Sequence, residues 1–199
     1  MRTIAVIALK GGSGKTTVAA HIAIAAHRRG IETMVLDIDP QHSSHDILHA
    51  RAASGPECVR STGPKLMGAK FGAVEDVGEA IVLADFVVMV VRPTLLDLAG
   101  LTRTFMMVRR LGKPATVIVN QAPVARENIE PPLVKRALKG LTYMQAPVAP
   151  VILRNRSIYQ TALETGRSAE EMADPAAARE VAALWDFLEA EIADASEAA

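Results

Sequence analysis

The sequence predicts an α/β fold, a mostly parallel central sheet flanked by helices, and three observations carry that reading. Residues 3–9 form an apolar, β-rich run that leads through a glycine-rich turn into a helical pattern. A second apolar run at 33–38 completes a strand–helix–strand unit, whose right-handed crossover implies parallel strands. Apolar runs at 84–92 and 115–120 then continue the alternation of strand and helix.

Composition sets the outer bounds. With 199 residues the chain suits one domain with a real core. Half of the residues are hydrophobic and 4% are aromatic, so the core must be Val, Ile, Leu, Ala and Met. The 22 Lys and Arg balance 22 Asp and Glu. A neutral chain has no global attraction to nucleic acid, so DNA binding would need a local basic patch. The single cysteine, Cys58, cannot form an internal disulfide, which fits a reducing compartment and a buried or inert thiol. No run approaches the ~18 apolar residues of a membrane span. Lys10 and the glycines interrupt the N-terminal run too soon for a signal peptide. The reading is cytoplasmic, with no membrane partner.

The turn carries the chemistry. Lys10-Gly11-Gly12-Ser13-Gly14-Lys15-Thr16-Thr17 joins the first strand to a helix with Val18, Ala19, Ile22, Ala23 and Ala26 near the helical period. Glycines let successive N–H groups face one anion, and the helix N-terminus adds partial positive charge. The usual phosphate loop reads G-x-x-x-x-G-K-[ST]. Here Leu9 stands where its first glycine should be, and a second lysine, Lys10, precedes the glycines. This pattern resembles the deviant Walker A box of the ParA/MinD family of P-loop ATPases. The resemblance implies that Lys15 holds the β- and γ-phosphates of ATP or ADP, that Thr16 ligates Mg2+, and that Thr17 contacts the α-phosphate. Lys10 would reach across a dimer interface to the partner's nucleotide, and Gly11, Gly12, Ser13 and Gly14 would line the phosphates.

The first helix should end near Arg29, with Gly30 as its stop. The strand at 33–38 reads as buried and ends in Asp37 and Asp39. Ligands of such sheets bind beyond the carboxyl ends of the strands, where two acids suit a hydrated magnesium ion and an oriented water. The stretch Asp37-Ile38-Asp39-Pro40-Gln41 resembles the family's switch I, in which the acid before the proline, here Asp39, helps position the attacking water. His42, His45 and His49 share one helical face at a spacing compatible with a metal site, although the segment reads more simply as a solvated helix start.

Residues 51–79 carry no strong strand pattern. The family resemblance implies a Walker B strand here, ending in an aspartate that holds magnesium through water, and none is evident. A remnant at 71–78 could supply Glu75 or Asp76, or the strand could be deleted. The expected fold therefore has its Walker B strand region shortened or missing, and nucleotide binding is better supported than turnover.

The run at 84–92 is a strongly apolar strand. Residues 95–111 read as a helix with Leu98, Leu101, Thr102, Phe105 and Val108 on the packed face, ended by Gly112 and Pro114. The strand at 115–120 ends in Asn120, which resembles the family residue that hydrogen-bonds adenine; an asparagine capping a turn is the simpler alternative. An amphipathic helix covers 129–138, and a proline-edged strand covers 145–153, with Pro150 in a loop expected near the base. Residues 154–171 resemble the family's C-terminal pattern R-x5-A-x3-G-x4-E, with Arg156, Ala162, Gly166 and Glu171 in its positions. Asp174 and Pro175 cap a last helix running to about residue 192, with Val181, Leu184, Trp185, Leu188 and Ile192 on its buried face. The expected organisation is one nucleotide-binding domain over 1–193 and a frayed tail over 194–199.

By resemblance the chain is a small ParA-like partition ATPase. ATP and Mg2+ would sandwich two copies into a homodimer that binds DNA without sequence preference and associates with the nucleoid. A ParB-like partner would then stimulate hydrolysis, with Lys10, Lys15 and Asp39 as catalytic groups. Candidate DNA contacts are Arg103, Arg109, Arg110, Lys113, Lys135, Arg136, Lys139, Arg154, Arg156 and Arg167. The missing acid motivates a different class of function, a nucleotide-dependent dimerisation switch with little hydrolysis. A dethiobiotin-synthetase-like or nitrogenase-reductase-like enzyme is a third possibility, and the lack of cluster cysteines argues against the latter.

Overall fold

The computed structural model describes residues 1–8, 10–39, 41–60, 77–127 and 129–197. Its elements follow the order β1 (Ile4–Ile7), α1 (Lys15–Arg28), β2 (Met34–Asp37), α2 (Ser43–His49), β3 (Glu57–Arg60), α3 (Val77–Leu83), β4 (Phe86–Val91), α4 (Leu95–Arg110), β5 (Ala115–Val119), α5 (Pro132–Tyr143), α6 (Ile158–Leu163) and α7 (Pro175–Glu197). The fold is α/β with parallel strands, as the sequence predicts. Cα packing divides the chain into two compact units.

The first unit comprises residues 1–15, 80–156 and 186–199. Its sheet has the order β1-β4-β5, all parallel. β4 is buried at all six positions, because a central parallel strand has no solvent face. α4 packs against β4 and α5. The strand expected at 145–153 is reduced to isolated parallel bridges, Val117 with Val148 and Ala122 with Arg154. Pro147 and Pro150 lack the N–H that a continuous ladder needs, yet Ala149 and Leu153 still donate to the carbonyls of Val117 and Val119. Thr102, expected in the packed face of α4, is exposed; Asp97 and Thr104 are buried instead. α5 begins at Pro132 rather than 129, since Pro is suited to the first helical turn, and runs on to Tyr143.

The second unit comprises residues 16–79 and 157–185. It carries a two-stranded parallel sheet, β2 with β3, in the register Met34↔Glu57 to Asp37↔Arg60. β3 lies in a stretch where the sequence predicts no strand. The candidate acids Glu75 and Asp76 lie outside the described residues. The expectation that 33–38 is buried fails on one face: Met34, Leu36 and Ile38 are exposed and only Asp37 is fully buried. Their alternation is the two-residue period of a strand with one open side.

Helix boundaries follow local chemistry. Gly30 has φ 80° and ends α1 with its N–H on the carbonyl of His27. The Asp174 carboxylate accepts from the N–H groups of Ala176 and Ala177, both at 3.0 Å, which caps α7 as expected. α7 continues to Glu197, beyond the end at residue 192 that its apolar face suggests.

Candidate functional site

The phosphate loop is built from backbone geometry. Gly12 has φ 77° and Gly14 φ 90°, conformations that L-residues rarely adopt. A Cβ on Gly14 would lie 2.2 Å from Nδ2 of Asn120, so any other residue there is strained and must displace that amide. A Cβ on Gly11 would meet nothing within 4 Å. Ser13 is 2% exposed, and its hydroxyl has no partner among the described residues. A turn of left-handed glycines with an orphaned buried hydroxyl and two lysines suits a polyphosphate, and α1 starts directly after it at Lys15. Lys15, Thr16 and Thr17 are half-buried and Lys10 is exposed.

Lys10 is already engaged. Its ammonium lies 3.1 Å from Oδ1 of Asp97, whose side chain is 2% exposed. Arg92 donates to both Asp97 oxygens at 2.7 and 3.2 Å, and the Thr94 hydroxyl donates at 2.8 Å. Burial works to raise the Asp97 carboxyl, and the bonds from Arg92, Thr94 and Lys10 outweigh it, holding it at about 2. Sequence reasoning missed Arg92, Thr94 and Asp97 as neighbours of Lys10. The hint was an aspartate one turn before the apolar face of α4.

The carboxylates after β2 hold their own turn. Asp37 accepts from the N–H of Asp39 at 3.1 Å and of His45 at 2.9 Å; Asp39 accepts from the N–H of Gln41 at 2.9 Å. Asp37 thus anchors the start of α2, where the left-handed His42 (φ 49°) gives no side-chain cap. Each acid keeps lone pairs for another ligand. A magnesium ion held by Thr16, Asp37 and Asp39 would draw its remaining oxygens from phosphate and water. Among the described residues no three His, Cys, Asp or Glu side chains are grouped to hold a metal. The histidine face forms no such centre, and His45 and His49 stack with centroids 5.6 Å apart. Arg60, the last residue of β3, pairs with Asp46 at 2.7 Å. Burial and then the Asp37 charge push the Cys58 thiol up to about 11, so it stays protonated.

The C-terminal pattern has a mechanical meaning. Arg51 donates to both oxygens of Glu171 at 2.7 and 2.9 Å and to the carbonyl of Gly166 at 2.9 Å. Gly166, at φ 65°, lies so close to the Arg51 backbone that a Cβ would come within 2.5 Å of its Cα. Ala162 is fully buried.

The basic side chains divide into two groups. Arg103, Arg109 and Arg110 on α4 and Lys135, Arg136 and Lys139 on α5 are exposed, as is Arg167. Lys113 donates to the carbonyl of Ala84 and Arg154 to Glu130 and the carbonyl of Pro123. Asn120 and Gln121 donate to the loop carbonyls of Ser13 and Gly12. Pro150 is exposed.

A family model described as the CobQ/CobB/MinD/ParA nucleotide binding domain matches residues 4–167. A protein assigned as replication protein A from Rhizobium rhizogenes is 42% identical over 69 residues, which is 35% of this chain and 16% of that protein. Among solved structures, the ATP complex of a single-residue variant of McdA from Cyanothece superposes with TM-score 0.73 at 16% identity, covering 95% of this chain and 96% of that one. The cell division ATPase MinD of Pyrococcus furiosus gives TM-score 0.64 at 15% identity over 95% and 98% of the two chains. A plasmid partition protein of Borrelia burgdorferi bound to AMPPNP gives 0.67 at 12% identity, covering 95% and 99%.

Proposed function

The chain belongs to the CobQ/CobB/MinD/ParA nucleotide-binding domain family, and on that premise we propose that it is a ParA-like ATP-binding protein that dimerises around ATP and Mg2+, binds DNA non-specifically and segregates a plasmid or positions cargo with a ParB-like partner. The observation that carries this reading is the loop at 10–14, with left-handed Gly12 and Gly14, the orphaned Ser13 hydroxyl and lysines on both sides. In this reading Lys15 binds the β- and γ-phosphates and Thr17 the α-phosphate. Thr16, Asp37 and Asp39 hold the magnesium ion, with Asp39 orienting water. Lys10 leaves Asp97 to neutralise charge on the partner's nucleotide. ATP supplies the phosphoryl group; the chain supplies position and charge. The exposed cations of α4 and α5, which lie on packed neighbouring helices, support a DNA-facing surface.

One observation favours a second reading, a dimerisation switch with little turnover. β3 lies parallel beside β2, and its last residue is Arg60 rather than an acid. The deciding experiment incubates the protein with magnesium and labelled ATP and identifies the nucleotide that stays bound. Retained ADP with phosphate in solution supports the ATPase cycle. Retained intact ATP supports the switch, and no retained nucleotide overturns both.

A further inference from the structure

We propose that Asn120 and Gln121 are positioning residues that preform the phosphate loop by holding two of its carbonyls, an inference that rests on the nucleotide-binding reading. Both follow directly on β5. The Asn120 N–H donates to the carbonyl of Val91 at 2.8 Å, which fixes the start of this segment to β4. Asn120 is 4% exposed, and its side-chain amide donates to the carbonyl of Ser13 at 2.8 Å. Gln121 takes the left-handed conformation, φ 53°, and its amide donates to the carbonyl of Gly12 at 3.1 Å.

These two bonds act on consecutive peptide groups. In a planar trans peptide the C=O of one residue and the N–H of the next point in opposite directions. Holding the Gly12 carbonyl on Gln121 therefore turns the N–H of Ser13 the other way. Holding the Ser13 carbonyl on Asn120 does the same for the N–H of Gly14. Two donors are aimed to one side before any ligand arrives, which is the arrangement an anion needs. Preorganisation of this kind removes an ordering cost from binding. The close approach also accounts for Gly14: the Asn120 amide nitrogen occupies the direction its Cβ would take, at 2.2 Å. The resemblance implies another task for Asn120, a hydrogen bond to adenine. The bond to Ser13 uses one N–H of that amide and leaves Oδ1 for a base, so the two tasks are compatible, and the loop-positioning one is read on a ligand that has no base.

A ligand without a base separates the two tasks. Binding of ATP and of inorganic tripolyphosphate, each with magnesium, is measured by calorimetry for the wild type, Asn120→Ala and Gln121→Ala. The expected result is that Asn120→Ala weakens tripolyphosphate by about tenfold, the equivalent of one lost buried hydrogen bond, and ATP by at least as much. Gln121→Ala should weaken both by a smaller common factor. Hydrogen exchange at the amides of 12–15 in the ligand-free protein should also quicken in both variants. Loss of ATP affinity with tripolyphosphate unchanged would overturn the proposal in favour of base recognition. If Asn120→Ala does not fold, Gln121→Ala, whose side chain is partly exposed, decides by the same criterion. A wild type that binds neither ligand would instead overturn the nucleotide reading itself.

Discussion

The sheets of the two compact units are buried to different extents. In the first, β4 is buried along its whole length and flanked by parallel partners, so burial of Val, Ile, Phe and Met side chains dominates. In the second, the β2–β3 sheet leaves Met34, Leu36 and Ile38 exposed, and helices supply the apolar burial instead, with Val18, Ile22 and Ile24 of α1 and Val181 and Leu184 of α7 in the core. Arg51 clasps Glu171 and Gly166, while His21 meets Ser168 and Tyr159. The difference teaches that a two-stranded sheet with one open side cannot close a unit alone: apolar helix faces and specific long-range hydrogen bonds complete it.

The sharpest way to break this contrast is Arg51→Ala. The Arg51 side chain is 5% exposed, and its loss would leave Glu171 with only Arg28, at 3.2 Å, and the Ser168 N–H, at 2.8 Å, as partners among the described residues. Burial works to raise the Glu171 carboxyl, and Arg51, the Ser168 N–H and Arg28 outweigh it, holding it at about 2. Arg51 also donates to the carbonyls of Gly55 and Gly166, and losing its charge-assisted bonds together costs about 3 kcal/mol or more, each being worth about 1.5–3 kcal/mol. Denaturant unfolding should show that loss, and a change below about 1 kcal/mol would mean the clasp is ornamental.

His21 sharpens the contrast through pH. It is 1% exposed. Its Nδ1 accepts from the N–H of Ala169 at 3.3 Å, which leaves the proton on Nε2, facing the carbonyl of Tyr159 at 3.2 Å. Burial lowers its pKa from 6.5 to about 4, and the Tyr159 carbonyl and the Glu171 charge only partly oppose this. The folded state therefore keeps His21 neutral between pH 6.5 and about 4, while the unfolded chain takes up a proton. Stability from this group is complete above pH 6.5 and falls as pH drops towards 4, by at most about 3 kcal/mol. Unfolding measured across that window should lose this slope in His21→Gln; an unaltered slope would assign it to other groups.

In the first unit the phosphate loop is held by polar contacts too, so Gly14→Ala tests whether its geometry is fixed by packing. Strain at φ 90° and the encounter with Asn120 should cost about 1–3 kcal/mol and remove nucleotide binding. Gly11→Ala, which meets nothing, should change stability by less than about 0.5 kcal/mol. Thermal melts and nucleotide titration check both; equal effects at the two glycines would contradict a loop held by Asn120.

What the sequence made legible follows the same division. β1, β4 and β5 are short apolar runs bounded by turn residues, and the run of Gly12, Gly14 and Lys15 announces a phosphate loop by local spacing alone. β3 was invisible because Glu57, Cys58, Val59 and Arg60 show neither an apolar run nor clean alternation; its pairing with β2 comes from tertiary context. The partners of Lys10 and Arg51 were equally hidden. Asp97 and Glu171 lie far along the chain, and a single sequence carries no signal for which distant charges meet. Asn120 was found as a candidate, but its contact with Ser13 required knowing that β5 ends beside the loop.

The smallest expected effect concerns Lys10, where the two kinds of fastening meet. Its side chain is 45% exposed, whereas Asp97 is buried and stays bound to Arg92 and Thr94 if Lys10 departs. Releasing Lys10 then gives up one half-exposed ion pair, about 1 kcal/mol or less after solvent screening. The Asp97 carboxyl, held at about 2, remains charged at every pH above about 4, so the pair persists until something better competes for the lysine. A polyphosphate on a second copy would be such a competitor, carrying more charge than one carboxylate. Asp97→Asn should therefore tighten the proposed ATP-dependent dimer by up to about thirtyfold, the equivalent of two such ion pairs, one from each copy, as read by sedimentation across a concentration series with ATP and magnesium. Lys10→Ala should remove the dimer while leaving ATP binding to the monomer intact. A dimer that weakens in Asp97→Asn would mean that the carboxylate aims Lys10 rather than restrains it.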